Sequence, residues 1–168
     1  MIANGQRLLA LSPIEDMATT KQTAHGVSHG LSEAGYDIRI KQDVRFLPSV
    51  QGMSSIVRDE DGPAFRKGRF VLASSMERFI MPDCLVGVVH NKSSWARRGL
   101  SVFNTVIEPG WCGWLTLELV YHGEDDLIIP AGSGIAQVLF TRTMEVSRYG
   151  GKYNHQPDRP VDAIMEKG

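Results

Sequence analysis

An all-β fold, a barrel or a sandwich, is the class this sequence predicts. Short β-rich runs recur along the chain at roughly even spacing. Turn signals separate them, as at Pro82-Asp83, Pro109-Gly110 and Asp125-Asp126. One run, from Trp114 to Tyr121, alternates its side chains between two faces over its whole length. At 168 residues the chain is read as one domain, 1–168, long enough to bury a substantial core.

Residues 1–32 form a mixed N-terminal segment. Residues 1–11 suit a short helix or strand. Ser12-Pro13-Ile14-Glu15-Asp16 reads as a helix start, with a Ser cap, Pro at the first position and acids in the first turn. Residues 17–32 carry Thr, Ser, Gly and His with no clear period and read as loop. His25 and His29 have helix-face spacing, but Gly26 and Gly30 weaken a helix, so a loop is simpler than a metal pair. Residues 35–40 alternate as a half-buried strand, with 44–47 as its partner. Residues 48–64 are polar, with Gly52, Gly62 and Pro63, and suit an exposed loop or hairpin. Residues 70–73 form one strand and 77–81 another, stopped by Pro82. Residues 85–89 resume β structure.

Next comes Lys92-Ser93-Ser94-Trp95-Ala96-Arg97-Arg98-Gly99-Leu100. Two hydroxyls, one helical turn and two arginines follow a strand at once. Hydroxyls that cap free backbone N–H groups, beside an Arg fork, make an anion site. The plain alternative is a charged surface connection. Residues 100–106 return to β structure before the Pro109-Gly110 turn. In the run from Trp114, Leu115, Leu117 and Leu119 face one way, and Thr116, Glu118 and Val120 the other. Residues 127–129 and 135–140 are further strands. The tail, 149–168, is polar and Gly-rich.

Composition narrows the function. Hydrophobic residues make up 42% and charged residues 22%, an ordinary globular balance. The formal net charge of −1 argues against broad nucleic-acid binding while leaving room for a local anion pocket. Cys84 and Cys112 form no Cys-x-x-Cys pair, so neither zinc nor a disulfide is expected. Without a signal segment or a membrane-length apolar run, the expected location is cytoplasmic. The zinc nucleobase-deaminase signature is absent, as are the Walker loop, the dinucleotide fingerprint and the Gly-x-Ser-x-Gly elbow.

Glu118 is the leading chemical candidate. A lone carboxyl in an apolar strand either faces solvent or is buried with a raised pKa, fit for general acid–base work. Glu108 either binds a sugar hydroxyl or decorates its turn. Arg97 and Arg98 suit phosphate or a subunit salt bridge. Lys152 and Gln156 either close over a ligand or lie solvated. Trp111 and Trp114 are more simply core or interface than stacking platforms.

Several of these stretches, in this order, resemble one family. They are Glu33-Ala34-Gly35-Tyr36-Asp37-Ile38-Arg39, Phe70-Val71-Leu72-Ala73-Ser74-Ser75-Met76-Glu77-Arg78-Phe79, the Lys92 to Leu100 stretch, Glu108-Pro109-Gly110-Trp111-Cys112-Gly113, Thr116-Leu117-Glu118-Leu119 and Gly151-Lys152-Tyr153-Asn154-His155-Gln156. They resemble the dCTP deaminases of the trimeric dUTPase superfamily. The resemblance implies a distorted β-barrel of jelly-roll type with one or two short helices, assembled as a homotrimer with sites between subunits. It implies hydrolytic deamination of a deoxycytidine triphosphate, with Mg²⁺ carried on the phosphates. Glu118 is then the acid–base, helped by Ser93 and Arg97. Ser93 holds base and water. Ser94 and Arg97, with backbone N–H groups of the same turn at Trp95 and Ala96, grip phosphate. Glu108 lies against the sugar, Thr116 and Leu117 border the base through backbone, and Tyr149, Lys152 and Gln156 belong to the closing tail.

Three departures accompany the resemblance. Lys92, placed among the nucleotide-binding residues, stands where the family commonly has Arg. Glu108 stands for Asp. The connection Ser101-Val102-Phe103-Asn104-Thr105-Val106-Ile107 is shorter than usual. A 5-substituted dCTP or a monophosphate therefore stays open as substrate. So do two other readings, a dUTPase or bifunctional deaminase–dUTPase, and a non-catalytic nucleotide-binding regulator.

Overall fold

The computed structural model describes residues 1–58, 62–103 and 106–166. It opens with β1 (Ile2–Ala3) and α1 (Gly5–Leu11), then β2 (Lys21–Ala24), β3 (Val27–Leu31), β4 (Tyr36–Arg39) and β5 (Val44–Leu47). β6 (Met53–Arg58), β7 (Gly62–Lys67), β8 (Phe70–Ile80) and β9 (Leu85–Asn91) follow. After α2 (Ser93–Ala96) come β10 (Leu100–Val102), β11 (Val106–Ile107), β12 (Cys112–Tyr121), β13 (Leu127–Ile129) and β14 (Gly134–Arg142). The all-β expectation with short helices holds. One sheet runs β11-β9-β14-β4-β3-β2 with β1 against β14; a second runs β10-β12-β8; a third runs β13-β5-β6-β7. Among the described residues none of them closes on itself.

The expected helix start at Ser12 is a helix stop. Ser12 sits at φ 43° and its N–H donates back to Leu8 O at 3.0 Å and Leu9 O at 3.2 Å, closing α1. Ser then Pro marks either end of a helix, and here Pro13 ends it. The expected loop at 17–32 is the β2–β3 hairpin. Its two turn residues, His25 and Gly26, both have positive φ (52° and 76°), as the tightest hairpin turns require. His25 takes the place more often filled by Asn, which hid the signal. The two histidines therefore part company, His25 exposed at the turn and His29 buried in β3. Among the described residues no three His, Cys, Asp or Glu side chains gather as a metal site.

β4 is buried on both faces, not half-buried as its alternation suggested: Tyr36, Asp37 and Ile38 are all buried in succession. β5 does not pair with β4. It joins β13 and β6, with Phe46 opposite Leu127 and Ser54. Asp43 steers the crossing by accepting from Ala131 N at 2.7 Å. The 48–64 region is strand and hairpin over its described part; residues 59–61 lie outside it, as do 104 and 105 of the connection and 167–168 of the tail.

The two strands expected at 70–73 and 77–81 are one strand, β8, of 11 residues. Ser74 and Ser75 read as a break but are fully buried with their polar groups met. Gln42 exchanges two hydrogen bonds with Ser74, at 2.8 and 2.9 Å. Ser75 O–H donates to Glu77 O at 2.8 Å, and its oxygen accepts Leu115 N–H at 3.0 Å. Buried polar groups need partners, so this pattern of partners makes a serine pair compatible with a core strand. Leu117, Leu119, Phe46, Phe79, Phe140 and Ile38 belong to one buried cluster. Each such side chain contributes about 1.5–3 kcal/mol. No helix among the described residues is long and apolar enough to cross a membrane.

Candidate active site

The two faces of β12 meet different surroundings, one the core and one a cavity. Leu117 and Leu119 point into the core and are fully buried. Thr116 and Glu118, on the other face, line a cavity of about 700 Å³. Glu118 pairs across the sheet with Leu72, and Thr116 with Ser74. A bulge against β8 between Trp114 and Thr116 breaks the alternation and brings Leu115 to the cavity too, not to the core-facing row expected for it. Burial raises the Glu118 carboxyl above its ordinary pKa. Removing water penalises the charged form, so the group takes up and releases a proton closer to neutrality.

Glu108, Tyr149 and Gln156 reach the same cavity. Glu108 is exposed at its edge, ahead of the Pro109-Gly110 turn. That turn closes with Trp111 N–H donating to Glu108 O at 3.2 Å, and Gly110 supplies the positive φ of 73° that this turn form demands. Trp111 is buried against Phe79, and its indole N–H donates to Tyr153 O at 2.6 Å, so it braces the tail as well as the core.

The tail lies along β12. His155 N–H donates to Cys112 O at 2.7 Å, and Trp114 N–H to Gln156 O at 3.3 Å. The approach is so close that a Cβ on Gly113 would sit 2.6 Å from Gln156 N. Further on, Val161, Asp162 and Ala163 complete the cavity wall. Lys152 is not part of that wall. Its ammonium lies over the Tyr153 ring and 3.6 Å from Glu166.

The α2 turn lies outside this cavity. Ser93, Ser94, Ala96 and Arg97 are exposed, and none of them lines it. The turn is capped differently from expectation. Lys92 occupies the cap position with extended backbone, and no side chain caps the N–H groups. Lys92 turns inward, where its ammonium donates to Asp37 Oδ2 at 2.6 Å; both side chains are buried. Trp95 is buried, and its indole N–H donates to Gly134 O at 2.7 Å. The Lys92 and Trp95 side chains thus tie α2 to β4 and β14, while the Trp95 and Ala96 N–H groups expected at phosphate both donate to Lys92 O, at 3.0 and 2.9 Å. The turn's outward polar groups are Ser93, Ser94, Arg97 and Arg98, the last with its guanidinium over the Trp95 ring.

The structure adds residues that sequence reasoning missed. Arg66, Phe70, Leu72 and the 161–163 stretch all line the cavity. For Phe70 and Leu72 the available signal was strand phase, which sets both on one face of β8, the face whose cross-strand partner is Glu118. Nothing local marked Arg66 or the stretch beyond Gln156, which arrive through tertiary contacts.

Fold and site define a class: a β protein with a carboxyl of raised pKa in a cavity walled partly by its own tail, and a short turn tied to β4 and β14 outside that cavity. Comparison with known proteins narrows this. The family model described as dCTP deaminase-like matches residues 12–143. The dCTP deaminase of Campylobacter concisus is 35% identical over 162 residues, covering 87% of each chain. That of Protochlamydia amoebophila is 34% identical over 145 residues, covering 77% of each. The crystal structure of 2'-deoxycytidine 5'-triphosphate deaminase from Agrobacterium tumefaciens shares the fold at TM-score 0.56 and 17% identity, over 84% of this chain and 48% of that one. The chain belongs to the dCTP deaminase-like family.

Proposed function

We propose that this chain deaminates dCTP by hydrolysis, with Glu118 as the proton carrier. The observation that carries the reading is the Glu118 carboxyl in its cavity, with a pKa raised by burial. In the reaction, Glu118 takes a proton from water as the oxygen bonds to C4 of the cytosine ring. It passes that proton to ring N3. A second proton, from the new hydroxyl, goes to the amino group, which leaves as ammonia. The C4–O bond replaces the C4–N bond, and the product is dUTP. One carboxyl serves both acid and base steps because its pKa lies nearer the working pH.

A bound nucleotide needs its phosphates held so that the base meets Glu118 in fixed geometry. The chain's own cavity lacks the α2 groups. A neighbouring copy supplies them in a homotrimer with intersubunit sites: Ser93 orients base and water, while Ser94 and Arg97 hold phosphate. Mg²⁺ enters on the triphosphate oxygens, which offer the hard donors it prefers. Glu108 meets the sugar, and Thr116 and Leu117 border the base through backbone. Tyr149, Lys152 and Gln156 belong to the tail that closes on the substrate.

The test is a panel of dCTP, dCMP, CTP, 5-methyl-dCTP and dUTP, with ammonia and pyrophosphate both measured. Ammonia from dCTP, lost in Glu118→Gln while nucleotide binding persists, is the expected result. Pyrophosphate from dUTP without ammonia from dCTP would replace this reading with a dUTPase. Binding without turnover of any nucleotide would leave a regulator.

A further inference from the structure

Thr116 sits two residues before Glu118 and shares its face and its cavity. Its hydroxyl meets the tail both as donor and as acceptor. The O–H donates to Gln156 Oε1 at 3.0 Å, and the oxygen accepts the Val161 N–H at 3.1 Å. The Gln156 backbone is already laid against β12 by the Gly113–Gln156 bridge. Thr116 therefore touches the tail twice. It fixes the Gln156 side chain and, five residues on, the backbone of the stretch whose Val161, Asp162 and Ala163 wall the cavity. The site is partly withdrawn from solvent, with Thr116 itself buried.

We infer that Thr116 is a positioning residue: its side-chain hydroxyl latches the tail over the Glu118 cavity and so sets how tightly the substrate is enclosed. This rests on the deaminase reading and extends it to a side-chain role distinct from the backbone contact proposed above. The chemistry is specific to a hydroxyl. Serine keeps the donor and the acceptor. Valine keeps the shape and loses both. Proline at 161 removes the partner N–H from the tail side without touching β12.

The experiment compares wild type, Thr116→Ser, Thr116→Val and Val161→Pro. Steady-state ammonia release from dCTP gives KM and kcat, and hydrogen exchange of residues 154–166 is followed with and without dCTP. Two hydrogen bonds of ordinary net strength correspond to roughly five- to 150-fold in an equilibrium. In Thr116→Val the KM for dCTP is expected to rise about tenfold or more, with a smaller fall in kcat. Tail amides are expected to exchange faster in both Thr116→Val and Val161→Pro, and Thr116→Ser to restore protection and KM. Loss of kcat alone in Thr116→Val, with tail exchange and KM as in wild type, overturns the latch. So does a Thr116→Ser variant that behaves like Thr116→Val. If Thr116→Val does not fold, Val161→Pro decides on the same readouts, because it changes only the tail. Should the wild type release no ammonia from dCTP, the functional reading fails, and the exchange arm still tests the latch by itself.

Discussion

Lys92→Met tests whether the buried pair under α2 holds the turn. The Lys92 ammonium and Asp37 Oδ2 are 2.6 Å apart, with side-chain exposures of 10% and 4%. Among the described residues Asp37 Oδ1 is buried with no hydrogen-bond partner, and Lys92 is the cation bonded to the other oxygen of that carboxylate. Removing one partner of a buried pair strands the other and costs about 3–5 kcal/mol. For a chain of this size that lowers Tm by about 6–20 °C. Against a total stability of roughly 5–15 kcal/mol this is a large loss. Urea denaturation of Lys92→Met, Asp37→Leu and the double variant gives the coupling. The double variant is expected to recover to within about 2 kcal/mol of wild type, since an apolar pair of similar volume replaces two charges. A Lys92→Met cost below about 1 kcal/mol, or a double variant as damaged as the two singles added, would mean the pair is not what anchors α2.

If Arg97 holds phosphate as proposed, Arg97→Ala removes a charge-assisted contact of about 1.5–3 kcal/mol, and binding of the triphosphate should weaken more than tenfold while the nucleoside is little affected. Equal weakening of both, measured by calorimetry, contradicts the assignment. Burial raises the Glu118 pKa in the folded chain, so the unfolded chain ionises first as pH rises. Stability then falls between the ordinary carboxylate range, about pH 4.3, and the raised folded value. Glu118→Gln should therefore raise Tm at pH 7, with the gain fading as pH drops below about 4. A Tm lowered at pH 7 would show that the carboxylate is stabilised in the fold, the opposite of desolvation.

The sequence made the strands of β9, β12, β13 and β14 legible because their apolar runs end at clear turn residues. Glu118 stood out for the same reason: a carboxyl in phase with an apolar strand must either face water or sit in a special place. Other features hid because their signals were ambiguous. Ser12-Pro13 serves as well at a helix end as at a start. His25-Gly26 makes a hairpin turn that composition reads as loop. Ser74-Ser75 looks like a break until Gln42, far away in sequence, is seen to satisfy it. Partner choice of β5 and the fate of Lys92 depend on contacts across the fold, which local pattern does not encode. The inward turn of Lys92 and Trp95 also shows why a motif that lies together in sequence need not act as one surface: two members three residues apart anchor it while those between and after them face out.

That division bears on how an anion would be received. Lys92 and Trp95 tie the short turn to two separate strands, so its outward donors take their directions when the chain folds. If the turn receives an anion as proposed, the ligand meets a backbone already fixed by folding rather than one it must organise. Little freedom is surrendered at each encounter, and the discrimination rests on fit instead of on adaptation.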